Sequence, residues 1–281
     1  MTYDLIVLGS GPAGLAAAVG ALGRNKTVLV IGNRWQDSPL AKAERVDNYL
    51  GMPGLTGTQM LQAFHDHAAA MGAEFVEGKA ISVMAYKGVM VAVGSEVYQG
   101  KALVLASGVQ RQSKFPGEEA LLGKGVSYCA TCDGMLYRNR PIVVVGRSKE
   151  APQEANYLHS IGCKVTYTGL KSPEGLAEGI PFVMASQVEI LGEGTVTGIV
   201  LGGETFPCDG VFVMRQAVAS TDLLPQLKTE KGSIVVDRHM ATNLEGIYAA
   251  GDCTGAPLQV AKAVGEGHIA ALSVCEYLDQ K

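Results

Sequence analysis

The segment Tyr3-Asp4-Leu5-Ile6-Val7-Leu8-Gly9-Ser10-Gly11-Pro12-Ala13-Gly14 passes from a strand to a helix with only glycines at the corner. Leu5 to Leu8 is an unbroken apolar run, the pattern of a strand covered on both faces. The alanine-rich stretch that follows, to Gly23, has helical character. Such a turn gathers free backbone N–H groups and the positive end of a helix dipole at one point, which suits a pyrophosphate. Gly9-x-Gly11-x-x-Gly14 is a loose pattern alone. Its place between strand and helix makes it a dinucleotide cradle, with Gly9, Ser10, Gly11, Pro12, Ala13 and Gly14 as candidate contacts. At the end of the next strand, Thr27–Ile31, the acid expected to bind a ribose is replaced by Gly32-Asn33, and Asn33 can still hydrogen-bond a hydroxyl there.

Strand-like and helical stretches alternate outward from this point, the signature of a parallel sheet with crossovers. A helix over Gly57–Met71 leads to strands at Glu74–Glu77, around Ile81–Val93 and at Lys101–Ala106. A second cycle opens with Ile142–Val145, a helix over Pro152–Ile161 and a strand Lys164–Thr168. Shorter strands follow near Val188–Leu191, Gly198–Leu201 and Gly210–Met214, then a strand at Ser233–Val236. Ile247–Ala250 runs into Gly251-Asp252, and an apolar helix covers Leu258–Leu278. The expected fold is α/β, with two Rossmann-like three-layer units, the second inserted in the first. The limits read as 1–111 with 220–281 for the first and a shortened 112–219 for the second.

The 281 residues are 47% apolar and 18% charged, as in an ordinary globular α/β protein. A net charge of −4 leaves no electrostatic footprint for nucleic acid. Residues 5–23 carry no charge, but Gly9, Gly11, Pro12 and Gly14 interrupt them and Asp4 stands where a basic flank would be, so neither an anchor nor a signal peptide is expected. The reading is of a cytoplasmic protein.

Of six cysteines only Cys129 and Cys132 are closely spaced, in Ser127-Tyr128-Cys129-Ala130-Thr131-Cys132-Asp133-Gly134. Cys163, Cys208, Cys253 and Cys275 sit in apolar surroundings and read as small buried hydrophobes. In a reducing compartment a close pair is catalytic or metal-binding more often than structural. Zinc normally takes four ligands, and no second pair or histidine cluster accompanies this one, so no metal is expected. Two thiols at this spacing can store two electrons as a disulfide. A two-residue spacer at a helix start lowers a thiol pKa from about 8.5 toward about 7, favouring the nucleophilic thiolate. Asp133 can return a proton to a leaving sulfur. Asp252 can accept a hydrogen bond from a ribityl hydroxyl.

Gly9–Gly14, Asn48-Tyr49-Leu50-Gly51, Cys129–Gly134 and Gly246–Asp252 occur in the order found in the low-molecular-weight thioredoxin reductases, and over nearly its whole length the chain resembles that family. The resemblance implies FAD as cofactor, a homodimer and thioredoxin as substrate. It implies that Cys132 faces the flavin, that Cys129 exchanges with thioredoxin and that Asp133 is their acid/base. It places flavin contacts at Asn48, Asp252 and Gln259, with Gly32, Asn33, Ala80, Ser107, Gly108, Gly251 and Val260 completing the expected cofactor site.

The second unit departs from the family. Where Gly-x-Gly-x-x-Ala would hold NADPH, the chain reads Gly146-Arg147-Ser148-Lys149-Glu150-Ala151, and Ser148 puts a side chain where bare backbone is needed. The arginine cluster that grips the 2′-phosphate is replaced by Tyr167-Thr168-Gly169-Leu170-Lys171. This form is similar to the ferredoxin-dependent flavin thioredoxin reductases, which keep FAD and the dithiol without using pyridine nucleotide. Reduced ferredoxin is therefore the expected donor, with Arg147 and Lys149 as candidate attractors for that acidic partner. An NADPH-dependent reductase, a flavin dithiol oxidase using oxygen and a non-enzymatic redox sensor are the alternatives.

Overall fold

The computed structural model describes residues 1–108, 114–215 and 220–281. They divide into two compact units, Met1–Gln110 with Ala219–Lys281, and Arg111–Val218. The limits expected from sequence fall at 109–113 and 216–219, outside the described residues.

The first unit begins with β1 (Thr2–Leu8), α1 (Pro12–Leu22), β2 (Val28–Gly32), α2 (Gly57–Ala70), β3 (Glu74–Glu77), β4 (Ala80–Ala85), β5 (Val89–Val93) and β6 (Glu96–Leu105). In the second lie β7 (Val126–Ser127), α3 (Ala130–Asp133), β8 (Pro141–Arg147), α4 (Ala151–Ser160), β9 (Lys164–Gly169), β10 (Phe182–Met184), β11 (Val188–Leu191), β12 (Gly198–Leu201), β13 (Glu204–Pro207) and β14 (Gly210–Arg215). The chain then returns to the first unit with α5 (Ser220–Leu223), β15 (Thr229–Glu230), β16 (Ser233–Ile234), β17 (Ile247–Ala249) and α6 (Val260–Asp279).

The sheet of the first unit runs β3-β2-β1-β6-β5-β4, with β17 also paired to β6. β1 lies parallel to β2, Leu5 opposite Val28, and parallel to β6, Leu5 opposite Ala102. Strand β6 starts five residues before the expected Lys101 because its first half pairs antiparallel with β5, while Leu103–Leu105 lies parallel to β17. Antiparallel pairing with β5 brings Glu96–Gly100 into the strand. A capping box opens α2: Thr56 Oγ1 accepts from Gln59 N–H, and Gln59 Oε1 from Thr56 N–H. Gln259 is extended, so the last helix starts at Val260 rather than Leu258.

Packing of α1 on α6 is unusually close because both faces are built of small residues. A β-carbon on Gly267 would be driven into the Ala13 carbonyl, and one on Gly20 would come 2.8 Å from the Ala271 methyl. In the second unit the order is β10-β9-β8-β14-β7, all parallel, with β11-β12-β13 as a separate antiparallel sheet. Val143, Val145, Val211 and Val213 fill the core between these two sheets, and Ile142, Val144, Phe212 and Leu158 fill the one under α4. Among the described residues no helix is long and apolar enough to cross a membrane.

Gly267→Ala is expected to lower the urea midpoint, followed by far-UV circular dichroism, with a cost of about 1–3 kcal/mol from overpacking. Gly265→Ala in the same helix, where an added β-carbon meets no atom within 4 Å, is the control. It should be neutral or stabilising by about 0.5–1 kcal/mol.

Candidate functional site

In the first unit the carboxyl ends of β2, β1, β6 and β17 bring together residues that are far apart in sequence. Gly9 and Gly14 are required by the fold itself. A β-carbon on Gly14 would strike the Gly9 carbonyl, and one on Gly9 the Ala106 carbonyl, where β1 hands over to its neighbour β6. Gly11 is different: a β-carbon there would meet no atom within 4 Å. Internal packing does not demand a glycine at that corner, whereas close approach of a ligand does. Helix α1 starts directly behind it with Pro12 in the first turn and no side-chain cap, so its first N–H groups point outward.

Around this cradle, Ser10 Oγ donates to the Asn33 carbonyl at 2.8 Å, and a β-carbon on Gly32 would come 2.9 Å from Ser10 N and Oγ. The turn after β1 is thereby fixed to the end of β2. Ser107 Oγ and Ser220 Oγ lie 2.9 Å apart beside Gly108, which has φ +68°. Asn48 Nδ2 donates to Gln259 Oε1 at 2.9 Å across 211 residues of sequence. Ala80 opens β4 and Val260 opens α6, both half-buried.

Asp252 follows β17 on a loop held from behind by α6. Lys262 Nζ donates to the carbonyls of Gly251 (2.8 Å) and Gly255 (2.6 Å) and to Thr254 Oγ1 (2.9 Å), and pairs with Glu266 at 3.2 Å. Glu266 in turn accepts from Gly251 N–H and Thr254 Oγ1, each at 2.9 Å. Asp252 Oδ1 is buried and has no hydrogen-bond partner among the described residues. Burial raises its pKa, Lys262 opposes that, and Glu266 reinforces it. A buried carboxylate oxygen without a donor is costly, and a ligand hydroxyl would satisfy it. Together with the open corner at Gly11, it makes the residues present fit a dinucleotide with a polyol chain.

The second unit carries the cysteine pair as a disulfide, Cys129–Cys132, with Cα atoms 5.4 Å apart. Cys129 is the N-cap of α3 and is buried, whereas Cys132 is exposed. The Cys129 sulfur accepts from Cys132 N–H at 3.1 Å and lies 3.4 Å from Thr131 Oγ1. Both donors would stabilise a thiolate there. Asp133 Oδ2 accepts from Ser127 Oγ at 2.6 Å. The other four cysteines are buried, and burial raises the thiol pKa of each, to about 12 for Cys208 and Cys253. They are inert packing groups. Among the described residues no cluster of histidine, cysteine or acidic side chains could hold a metal ion.

The corner after β8 is filled from within. A β-carbon on Gly146 would collide with the Tyr167 hydroxyl and ring, so this glycine makes room for an aromatic side chain from the neighbouring strand β9. Tyr167 is buried there, which raises its pKa. Arg147 does not project as an attracting charge: Nη1 donates to the Gly146 carbonyl at 2.9 Å, and the guanidinium lies 5.2 Å from the Phe115 ring centre. Burial, with Arg215 close by, lowers its pKa. Ser148 Oγ is buried without a hydrogen-bond partner among the described residues.

A buried ion pair that no sequence pattern announces lies beside Arg147. Glu118 is fully buried and paired at both oxygens by Arg215, with Nη2 to Oε2 at 2.8 Å. Phe115 N–H donates to Oε2 and Tyr128 Oη to Oε1, each at 2.8 Å. Tyr128 immediately precedes Cys129, so this network anchors the start of the dithiol loop.

Residues 3–172 and 174–267 match the family described as pyridine nucleotide-disulphide oxidoreductase. The chain is 34% identical to the thioredoxin reductase of Listeria monocytogenes over 301 residues, covering 99% of this chain and 94% of that one. Among solved structures it is similar to a ferredoxin-flavin thioredoxin reductase from Clostridium acetobutylicum, with a TM-score of 0.90, 39% identity and 100% and 99% of the two chains covered. It is also similar to a thioredoxin reductase from Gloeobacter violaceus, with a TM-score of 0.82, 30% identity and 99% and 95% covered.

Burial alone would raise the pKa of Glu118, but the hydrogen bonds of Arg215, Phe115 N–H and Tyr128 outweigh it and hold the carboxyl below its usual value. A carboxyl depressed in the folded state stabilises fully above the unfolded value of about 4.3 and loses that contribution as pH falls through the folded value. Glu118→Gln is expected to cost about 3–5 kcal/mol near neutral pH, because the buried Arg215 guanidinium loses its carboxylate. In urea titrations the gap between wild type and variant should narrow below about pH 4.

Proposed function

The chain belongs to the pyridine nucleotide-disulphide oxidoreductase family and, within it, to the thioredoxin reductases, and on that footing we propose that it passes electrons from reduced ferredoxin to the disulfide of thioredoxin. It is a flavin disulfide oxidoreductase with FAD as its cofactor. The observation that carries the choice of donor is Ser148, which puts a buried hydroxyl at the position equivalent to the open corner at Gly11. A pyrophosphate needs bare backbone at that corner, and Arg147 beside it folds back onto its own strand. The likeness to a ferredoxin-flavin thioredoxin reductase supports the same reading.

In this proposal Gly9, Ser10, Gly11, Pro12, Ala13 and Gly14, with the N-terminus of α1, hold the pyrophosphate of FAD. Gly32 and Asn33 meet the ribose, and Asp252 takes a hydroxyl of the ribityl chain. Asn48, Ala80, Ser107, Gly108, Gly251, Gln259 and Val260 complete the site. When bound, FAD supplies exchange between one-electron and two-electron partners. Two electrons opening the Cys129–Cys132 bond yield two sulfurs, of which Cys129 has donors in place for the thiolate. That thiolate attacks one sulfur of the thioredoxin disulfide, forming a mixed disulfide as the thioredoxin bond breaks. The leaving sulfur takes a proton from the Asp133 carboxyl. Cys132 then attacks the mixed disulfide, restoring Cys129–Cys132 and releasing the second thioredoxin thiolate. The direction is downhill. A ferredoxin near about −400 mV against a disulfide near about −270 mV gives roughly 6 kcal/mol for two electrons. We assign the working form to a homodimer, on the family resemblance.

Under anaerobic conditions, reduced ferredoxin with oxidised thioredoxin is expected to yield thioredoxin thiols, and NADPH alone to leave the flavin absorbance unchanged. Bleaching by NADPH would return the chain to the nucleotide-dependent reductases. Peroxide formed from a small dithiol and oxygen, without thioredoxin turnover, would make it an oxidase. Cys129→Ser and Cys132→Ser should each abolish thioredoxin reduction.

A further inference from the structure

The dithiol loop is closed by a side chain that the roles above leave out. Ser127 is the last residue of β7, 5% exposed, and its strand is held parallel to β14, Phe212 facing Ser127 itself. Cys129 N–H donates to Ser127 Oγ at 3.1 Å. The same oxygen lies 2.6 Å from Asp133 Oδ2 and 3.2 Å from the Cys129 carbonyl. A hydroxyl has one proton to give, and the shorter contact with a carboxylate is the stronger claim on it. The result is a directed chain, Cys129 N–H to Ser127 Oγ–H to Asp133 Oδ2, that spans the whole redox loop and ends on the group that handles the proton.

We propose that Ser127 is a positioning residue for disulfide exchange. Its hydroxyl fixes the Asp133 carboxyl within the dithiol loop and stabilises the carboxylate that forms when Asp133 gives its proton to a leaving sulfur. No electron passes through Ser127. The exchange breaks the partner's S–S bond and forms one at the cysteines, while the proton goes from Asp133 to the departing sulfur. The groups around Asp133 do not replace the Ser127 hydroxyl. Tyr137 has its pKa raised by burial and further by the charge of Asp133, and Arg140, which lies 5.6 Å from the Tyr137 ring centre, is paired with Asp209. From α4, Tyr157, Leu158 and Ile161 pack against Gly134, and Cys163 donates to the Gly134 carbonyl at 3.4 Å with its thiol pKa raised by burial.

The proposal rests on the dithiol-exchange reading and is independent of the electron donor, so its test omits the donor. The FAD-loaded protein is reduced anaerobically with dithionite, freed of excess reductant and mixed with a small alkyl disulfide, whose leaving sulfur needs a proton, and in parallel with an aromatic disulfide, whose leaving thiolate does not. In Ser127→Ala exchange with the alkyl disulfide is expected to slow roughly tenfold or more, as in Asp133→Asn, with the aromatic disulfide little affected. Ser127→Thr, which keeps the hydroxyl, should restore the alkyl rate. In the Asp133→Asn background Ser127→Ala should add little. If Ser127→Ala does not fold, Ser127→Gly lacks the same hydroxyl and is judged by the same criteria. Equal slowing with both disulfides, or no rescue by threonine, would reduce Ser127 to a structural part and overturn the proposal. Wild-type protein that exchanges no faster than free cysteine would overturn the dithiol reading itself, and Ser127's role with it.

Discussion

The first unit depends on how closely three pieces of backbone can approach at the end of β1. Gly14 lies against the Gly9 carbonyl, Gly267 against the Ala13 carbonyl and Gly251 with 2.7 Å between its missing β-carbon and the Ala13 methyl. Because these contacts have no room for a methyl group, α1, α6 and the loop after β17 converge on one spot. That convergence places the uncapped start of α1 and the unpartnered oxygen of Asp252 in the same unit core region. Packing interactions between small residues yield little per atom, so the stability comes from the many apolar groups that close contact allows to be buried. Leu5, Val7, Val28, Val104 and Val274 are all fully or almost fully buried around it.

The second unit shows the same device put to another use. Gly146 stands where the family's nucleotide motif starts, but the space it leaves is taken by Tyr167. A glycine kept for packing is indistinguishable in sequence from a glycine kept for a ligand. The atom that a β-carbon would meet separates them: a tyrosine at Gly146 and a carbonyl at the equivalent Gly9, both set by packing, but open space at Gly11, whose equivalent in the second unit is Ser148. The same criterion explains why Gly9 and Gly14 are uninformative about the cofactor, since the fold needs them with or without one.

How much of this could be read from sequence follows from the range of each interaction. The strand-to-helix corners, the cysteine pair and the order of elements are local, set by runs of apolar residues and by glycines, and were legible. Strand β6 was read short because Glu96–Gly100 owes its conformation to β5, a partner that periodicity does not reveal. The contact of Asn48 with Gln259 and the Glu118–Arg215 pair join segments brought together by topology. Arg147 read as an attracting charge because no phosphate was expected to engage it. Phe115, a residue thirty-two positions earlier, draws it in. Ser127 was visible two residues before Cys129, yet serine is common before a turn and carries no signal until its hydroxyl is seen on Asp133.

The asymmetry between the two sulfurs gives the dithiol a direction. Cys129 is buried, receives the Cys132 N–H and lies beside the Thr131 hydroxyl, whereas Cys132 is exposed. Whichever partner opens the disulfide attacks one sulfur and expels the other, and the better leaving group is the one whose thiolate is already solvated by donors. Attack at Cys132 therefore expels Cys129 into a prepared environment, while attack at Cys129 would expel Cys132 without these donors. In the proposed function, a donor that opens the bond at Cys132 leaves the stabilised thiolate on Cys129. Burial of Cys129 protects that thiolate from chance oxidants, and it also means that exchange with a protein disulfide requires the loop of residues 127–134 to present it. The chain from Cys129 N–H through Ser127 to Asp133 ties that carboxyl to the backbone of Cys129, so that whatever displaces one end of the loop acts on the other.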